Sequence, residues 1–222
     1  MEARKLERVR ADRVTRGVQT VLGILCRAFV CFPYQRQTTG LSALPRQRFL
    51  FVSNHVSLLD TLLLGGILWS DRRLPFLVLG DLGVWRQGWI RRALSARIGF
   101  LIEREHPTRD RIRQLQSFAR SVEDFQLLVF PEGTRGDGVH VKECQPGVYF
   151  VAQAARAPIV PVFIEGMQHV STKTTPFRPL GGLRRIRVHF GTPWAPEDYA
   201  ELDANELCAE VRRRIQALGP RA

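Results

Sequence analysis

From residue 47 onward, short apolar runs alternate with longer stretches of helical periodicity. The runs RFLFVS (48–53), PFLVLG (75–80), IGFLIE (98–103), QLLVFP (126–131), PIVPVFIE (158–165) and RRIRVHF (184–190) predict six strands. Several are continuously apolar rather than alternating, as expected where helices cover both faces of a sheet. Helices are predicted over 58–69, 84–96, 107–123, 146–156 and 203–217. This alternation indicates one α/β domain, 47–222, with a mixed, largely parallel central sheet flanked by helices. VSTKTTPFRPLGGL (170–183), rich in Thr, Pro and Gly, predicts a long exposed loop. There is no internal repeat and no low-complexity tract.

Residues 1–46 carry a different pattern. The run VQTVLGILCRAFVCF (18–32) is apolar but interrupted by Arg27. As a helix, its fifteen residues reach roughly 22 Å, short of the ~30 Å hydrocarbon core of a bilayer. Glu2, Glu7 and Asp12 break up the positive region that a secretory signal would need. The segment predicts a helix that lies on, or dips into, one leaflet. A helix packed on the domain, with its arginines in water, is the alternative.

Charge bears on that choice. The chain has 33 Lys and Arg against 21 Asp and Glu, a net +12 in 222 residues. Such a balance calls for an anionic partner. Residues 1–48 hold ten basic and three acidic residues, more than half of the excess, beside the apolar run. No zinc-ligand spacing or RNA-binding aromatic motif accompanies them. An anionic membrane surface therefore fits better than nucleic acid. Trp85 and Trp89, set among Arg86, Arg91, Arg92 and Arg97, suit either a membrane interface or core packing. Cys26, Cys31, Cys144 and Cys208 form no CxxC pair and read as reduced structural thiols, consistent with a cytoplasmic setting.

The first chemical candidate is NHVSLLD (54–60), at the end of the strand RFLFVS. Ligands and reactive side chains gather at strand ends in α/β sheets. A neutral His55 could remove a hydroxyl proton, and Asp60 on its other ring nitrogen could fix the tautomer. On a regular helix, positions five apart diverge by ~140°, so His55 must lie on the turn before the helix. Ser57 and Asp60 also match a capping box, which would explain Asp60 without catalysis, and an asparagine at 54 is common in turns. Ser57 as a nucleophile lacks a G-x-S-x-G elbow. The second candidate, FPEGTR (130–135), directly follows the strand QLLVF. Gly133 permits a tight turn, Arg135 can grip a phosphate bidentately, and Glu132 can bond hydroxyls. His106, His140, His169 and His189 share no metal-ligand spacing. Leu62, Leu63, Leu64, Ile67 and Leu68 form either core or the lining of an acyl groove.

Taken together, NHVSLLD resembles the H-x4-D block, and FPEGTR the E-G-T-R block, of the glycerolipid acyltransferases, which include 1-acyl-glycerol-3-phosphate acyltransferase. IGFLIER (98–104) and APIVPVFIEG (157–166) resemble two further blocks of that family. The four blocks fall in the family's order across residues 50–166, about half the chain. The resemblance departs at Leu58 and Leu59, where an aromatic is frequent, at Gly136 in place of Ser, at Cys144 near a usual aromatic, and at Glu103 before Arg104.

The resemblance implies an O-acyltransferase on the cytoplasmic face of a membrane. His55 would be the general base and Asp60 its orienting acid. Arg104 would hold the acceptor phosphate, with Glu132, Gly133, Thr134 and Arg135 completing the head-group site and Pro161 shaping the wall. The donor would be a fatty acyl thioester of coenzyme A or acyl carrier protein. The acceptor would be a lysophospholipid, most simply 1-acyl-glycerol-3-phosphate. No metal and no cofactor is implied, and no nucleic-acid partner. The same chemistry on another acceptor, such as a lyso-ornithine lipid, and a non-catalytic anionic-lipid-binding module are the competing expectations.

Overall fold

The computed structural model describes residues 13–72, 76–81, 99–102, 109–121, 124–172, 174, 177–178, 180–181 and 183–220. The predicted helix 84–96, with Trp85 and Trp89, lies outside these residues, as does Arg104. Among the described residues the strands are β1 (Gln35–Thr39), β2 (Phe49–Ser53), β3 (Phe76–Asp81), β4 (Gly99–Ile102), β5 (Gln126–Val129), β6 (Ile159–Glu165) and β7 (Ile186–Phe190). The helices are α1 (Arg13–Cys26), α2 (Leu59–Arg72), α3 (Arg109–Ser121), α4 (Gly147–Ala155), α5 (Pro196–Tyr199) and α6 (Ala204–Gln216).

One seven-stranded sheet runs in the order β1-β7-β6-β2-β5-β3-β4. All neighbours are parallel except β6 and β7. The six expected strands and the largely parallel sheet are therefore present. β2 lies at the centre, and all five of its residues are buried. Its side chains alternate between two cores. Leu50 and Val52 join Leu115, Val151 and Val211 from α3, α4 and α6. Phe49 and Phe51 join Leu63, Leu64 and Leu68 from α2 on the other face. A strand covered on both faces has no reason to alternate apolar with polar residues.

β1 is the strand that hydrophobic patterning missed. Its sequence, QRQTT, carries no apolar residue, because β1 is an edge strand paired only with β7. An edge strand can be held by ladder bonds along one side while its side chains stay polar. It falls within 1–46, so the sheet begins before the expected boundary at residue 46. β7 shows the alternation of a half-covered strand, with Ile186, Val188 and Phe190 buried.

The apolar run ahead of β1 is helical through α1. It then widens to π geometry over Arg27–Cys31 and ends in a turn at Phe32–Tyr34. Cys26, Val30, Cys31 and Tyr34 are buried, whereas Val21, Ile24, Leu25, Phe29 and Phe32 are exposed. One side of this rod thus packs on the domain, where Cys31 Sγ donates to the Leu63 carbonyl of α2. The other side leaves an apolar stripe open. Gly17–Tyr34 is, among the described residues, the one helix long and apolar enough to cross a membrane.

The buried face of α2 holds the start of that helix against the sheet. Leu64→Ala is expected to cost about 2–5 kcal/mol, read from the urea-unfolding midpoint. Leu58→Ser, at an exposed position one residue before α2, is expected to fall within about 0.5 kcal/mol of wild type.

Candidate active site

β2 and β5 are parallel neighbours, with Val52 opposite Val129. Their C-terminal ends therefore lie side by side, and so do the segments that follow them. β2 continues into α2 on one face of the sheet, whereas β5 continues into α4 on the other. Connections that leave adjacent strand ends in opposite directions open a crevice between them. NHVSLLD and FPEGTR border that crevice.

His55 sits on the turn before α2, as the helical spacing required. Its Nδ1 is 2.9 Å from Asp60 Oδ2. The same oxygen accepts the backbone N–H of Val56 at 2.6 Å and of Ser57 at 2.9 Å. Ser57 Oγ accepts the N–H of Leu59. The two readings of Asp60 are thus not alternatives, because one carboxylate oxygen both caps the helix and orients the histidine. Asp60 is fully buried and the His55 side chain is 15% exposed. With Nδ1–H donated to a carboxylate, the lone pair of the neutral ring lies on Nε2. No described residue hydrogen-bonds that atom.

The rest of His55 is held as firmly. Its backbone N–H donates to Glu132 Oε1 at 2.9 Å, and its carbonyl accepts the Gly136 N–H at 2.6 Å. The Phe130 ring stacks on the imidazole, with centroids 4.1 Å apart and planes 21° from parallel. Glu132 does not face the crevice. It is buried, and its second oxygen accepts the Lys142 N–H at 3.2 Å. Through these two bonds Glu132 braces the site, tying the β2 turn to the segment around Lys142. A Cβ at Gly136 would lie 2.8 Å from Glu132 Oε2, so a side chain there would have to displace the end of that carboxylate.

Gly133 is exposed and adopts a left-handed φ of 61°, which turns the chain sharply after β5. Thr134 and Arg135 are half-buried at the same rim. The Arg135 carbonyl accepts Lys142 Nζ at 2.8 Å, while its guanidinium makes no ion pair among the described residues. His55, Asp60, Glu132, Gly133, Thr134 and Arg135 are thus brought together. Pro161 belongs to β6 beside β2.

Asn54 and Phe130 were not singled out by the sequence. Asn54 is not a solvated turn residue. It is buried, donates to the Ile164 carbonyl at 3.0 Å and accepts the Ile164 N–H at 2.7 Å. It thereby pins the end of β2 to β6. An asparagine at the end of the buried run FLFVS, where its amide can copy a peptide group, was the available signal.

Burial pushes the Glu132 carboxyl above the usual carboxylate range, and the amide donors of His55 and Lys142 offset only part of this. The folded state therefore holds this proton to higher pH than the unfolded chain, whose glutamates titrate near pH 4.3. Stability conferred at this site is greatest at low pH and declines as pH rises from about 4.3. Wild type should accordingly lose stability relative to Glu132→Gln across that window and run parallel to it above. Urea unfolding of both proteins from pH 4 to pH 8 tests this, and a constant difference would refute it.

Comparison with known proteins adds to this geometry. The family model described as Acyltransferase matches residues 35–165. The chain is 30% identical over 183 residues to the Mycoplasma pneumoniae protein named probable 1-acyl-sn-glycerol-3-phosphate acyltransferase, covering 77% of this chain and 66% of that protein. It is 30% identical over 180 residues to mouse 1-acyl-sn-glycerol-3-phosphate acyltransferase alpha, covering 77% of this chain and 58% of that one. To the lyso-ornithine lipid O-acyltransferase of Pseudomonas aeruginosa it is 29% identical over 141 residues, covering 63% and 51%. The chain thus spans between half and two thirds of the length of these relatives. Among solved structures, the 1-acyl-sn-glycerophosphate acyltransferase PlsC from Thermotoga maritima shares the fold, with a TM-score of 0.70 at 20% identity over 96% of this chain and 84% of that one.

Proposed function

The chain belongs to the acyltransferase family, and we propose that it moves a fatty acyl group from a thioester to the free hydroxyl of a lysophospholipid. The observation that carries this reading is the buried Asp60 carboxylate 2.9 Å from His55 Nδ1. It leaves Nε2 as the proton acceptor at the crevice edge, beside the rim of Gly133, Thr134 and Arg135.

His55 Nε2 removes the acceptor's hydroxyl proton as the oxygen attacks the thioester carbonyl carbon. The tetrahedral intermediate collapses, the C–S bond breaks, and the leaving thiolate takes the proton from the imidazolium. An ester and a thiol result, and His55 returns to its neutral tautomer. Asp60 stabilises the transient imidazolium without taking its proton. The protein forms no covalent bond. Arg135, whose guanidinium makes no ion pair among the described residues, offers a planar fork for a phosphate. By the family resemblance, Arg104 joins it. The donor is an acyl thioester of coenzyme A or acyl carrier protein, and no metal or cofactor takes part.

The acceptor we favour is 1-acyl-sn-glycerol-3-phosphate, the substrate in the names of two relatives. A lyso-ornithine lipid is the second candidate, supported by the name of the Pseudomonas aeruginosa relative. The apolar stripe of Val21, Ile24, Leu25, Phe29 and Phe32, beside the basic N-terminal residues, would hold the protein on the cytoplasmic face of an anionic membrane.

The His55→Ala protein, folded by circular dichroism, is expected to lose about 10²–10⁴-fold in acyl transfer, the usual worth of a general base. The assay offers acyl-coenzyme A and acyl carrier protein thioesters against a panel of lysophospholipids and lyso-ornithine lipid. Wild-type transfer that survives in His55→Ala would sink the mechanism. Folded wild type that acylates no member of the panel would sink the acceptor class.

A further inference from the structure

The segment between β6 and β7 is not absorbed by the proposed chemistry. Its exposed described residues include Phe177, Leu180 and Leu183, interleaved with Arg178, Arg184 and Arg185. Leu180 is 79% exposed, the highest value among the large apolar residues described. Large apolar side chains gathered on one exposed segment form the kind of patch that marks an interaction surface.

This segment is docked in a defined place. The Phe177 ring meets Tyr34 edge-on with centroids 6.0 Å apart. Arg184 donates its N–H to the Pro33 carbonyl at 3.0 Å, and its guanidinium lies 5.5 Å from the centre of the Phe32 ring. The segment therefore abuts the end of the N-terminal helical rod, where Phe29 and Phe32 are 71% and 72% exposed. The two apolar surfaces adjoin.

Topology sets which end of the molecule they occupy. β7 is antiparallel to β6, with Arg187 opposite Glu165, so β7 begins where β6 ends. β1 is parallel to β7, with Gln35 opposite Ile186, so β1 begins at that end too. β6 is parallel to β2, and β2 to β5. The residues preceding β1 and those preceding β7 thus emerge at the end of the sheet that carries His55 and Glu132.

We propose that Phe177, Leu180 and Leu183, flanked by Arg178, Arg184 and Arg185, form a second lipid-contact element at the catalytic end of the sheet, adjoining the N-terminal stripe. The occupant is an anionic bilayer surface. The apolar side chains enter the acyl boundary and the arginines meet lipid phosphates, a division that the alternation of Phe, Leu and Arg supplies. This rests on the reading that the N-terminal stripe holds the protein on a membrane. It adds that the bilayer meets the mouth of the site and not only the flank of the helix.

The test uses the full chain in a Cys144→Ser background, because Cys26, Cys31 and Cys208 are buried. An environment-sensitive fluorophore is attached in turn to Leu180→Cys, Phe29→Cys and Asp124→Cys. Asp124 precedes β5 at the opposite end of the sheet. Vesicles contain equal parts phosphatidylcholine and phosphatidylglycerol. Blue-shifted emission at 180 and 29, with 124 unchanged, supports the proposal. A shift at 29 without one at 180 overturns it and leaves membrane association standing. Wild type that does not sediment with the vesicles removes the underlying reading as well. Independently, Leu180→Ser combined with Leu183→Ser should weaken vesicle partitioning at least about tenfold, with transfer to a detergent-dispersed acceptor unchanged. Partitioning within about twofold of wild type would overturn the proposal.

Discussion

A single buried oxygen, Asp60 Oδ2, receives three hydrogen-bond donors within 2.9 Å, one from the His55 ring and two from the backbone of Val56 and Ser57. The site depends on this convergence. A carboxylate sealed from water is costly unless donors replace its hydration. Here the donors to Oδ2 come from the turn that the carboxylate itself terminates, so ordering the turn and satisfying that oxygen are one event. Asp60 also lies in the first turn of α2, where the helix dipole favours negative charge. The histidine is oriented by a group that the helix requires for its own start. The geometry at Nδ1 therefore persists as long as α2 stays seated.

Glu132 does for the backbone of His55 what Asp60 does for its ring. Its two oxygens join residues 55 and 142, which approach the crevice from different strands. With the Gly136 amide on the His55 carbonyl and Phe130 on one ring face, the residue is constrained on its backbone, at Nδ1 and on one side of the ring. Nε2 is left open. An imidazole fixed so closely has little orientational freedom left to lose; on the proposed reading, that is where positioning contributes to rate. Both carboxylates of the two motifs are thus buried and bonded to backbone N–H groups, and on the proposed reading the Gly133–Arg135 rim meets the acceptor.

Much of the architecture was legible because it is written in burial. Continuous apolar runs at β2, β3, β5 and β6 announced a covered sheet, and helical periodicity located α3, α4 and α6 within two residues and α2 within three. β1 was not legible, since QRQTT is held by ladder bonds that no side-chain pattern records. At the site, motif spacing brought His55, Asp60 and the 132–135 turn together correctly. It could not show that Asp60 serves cap and histidine through one atom, nor that Glu132 faces inward. Both depend on which way a side chain turns, and a carboxylate looks the same in sequence whether it meets ligand or backbone. Asn54 was passed over for a related reason, because its bond to Ile164 spans 110 positions.

The reversed edge pair, β1 with β7, gives the fold its functional asymmetry. In a wholly parallel sheet both segments would enter their strands at the end remote from the site. Reversal brings the close of the N-terminal helix and the approach to β7 to the end that carries His55 instead. A lysophospholipid keeps its free hydroxyl near the depth of its head group, and its acyl chain resists leaving the bilayer. A base at the bottom of a water-filled cleft would require the whole lipid to be extracted, at a cost of about 0.8 kcal/mol for each methylene exposed. A base at the rim of a surface that already meets lipid needs only a short excursion. On the proposed reading, the two reversed strands at the sheet edge let an α/β scaffold act on a substrate that remains largely in the membrane.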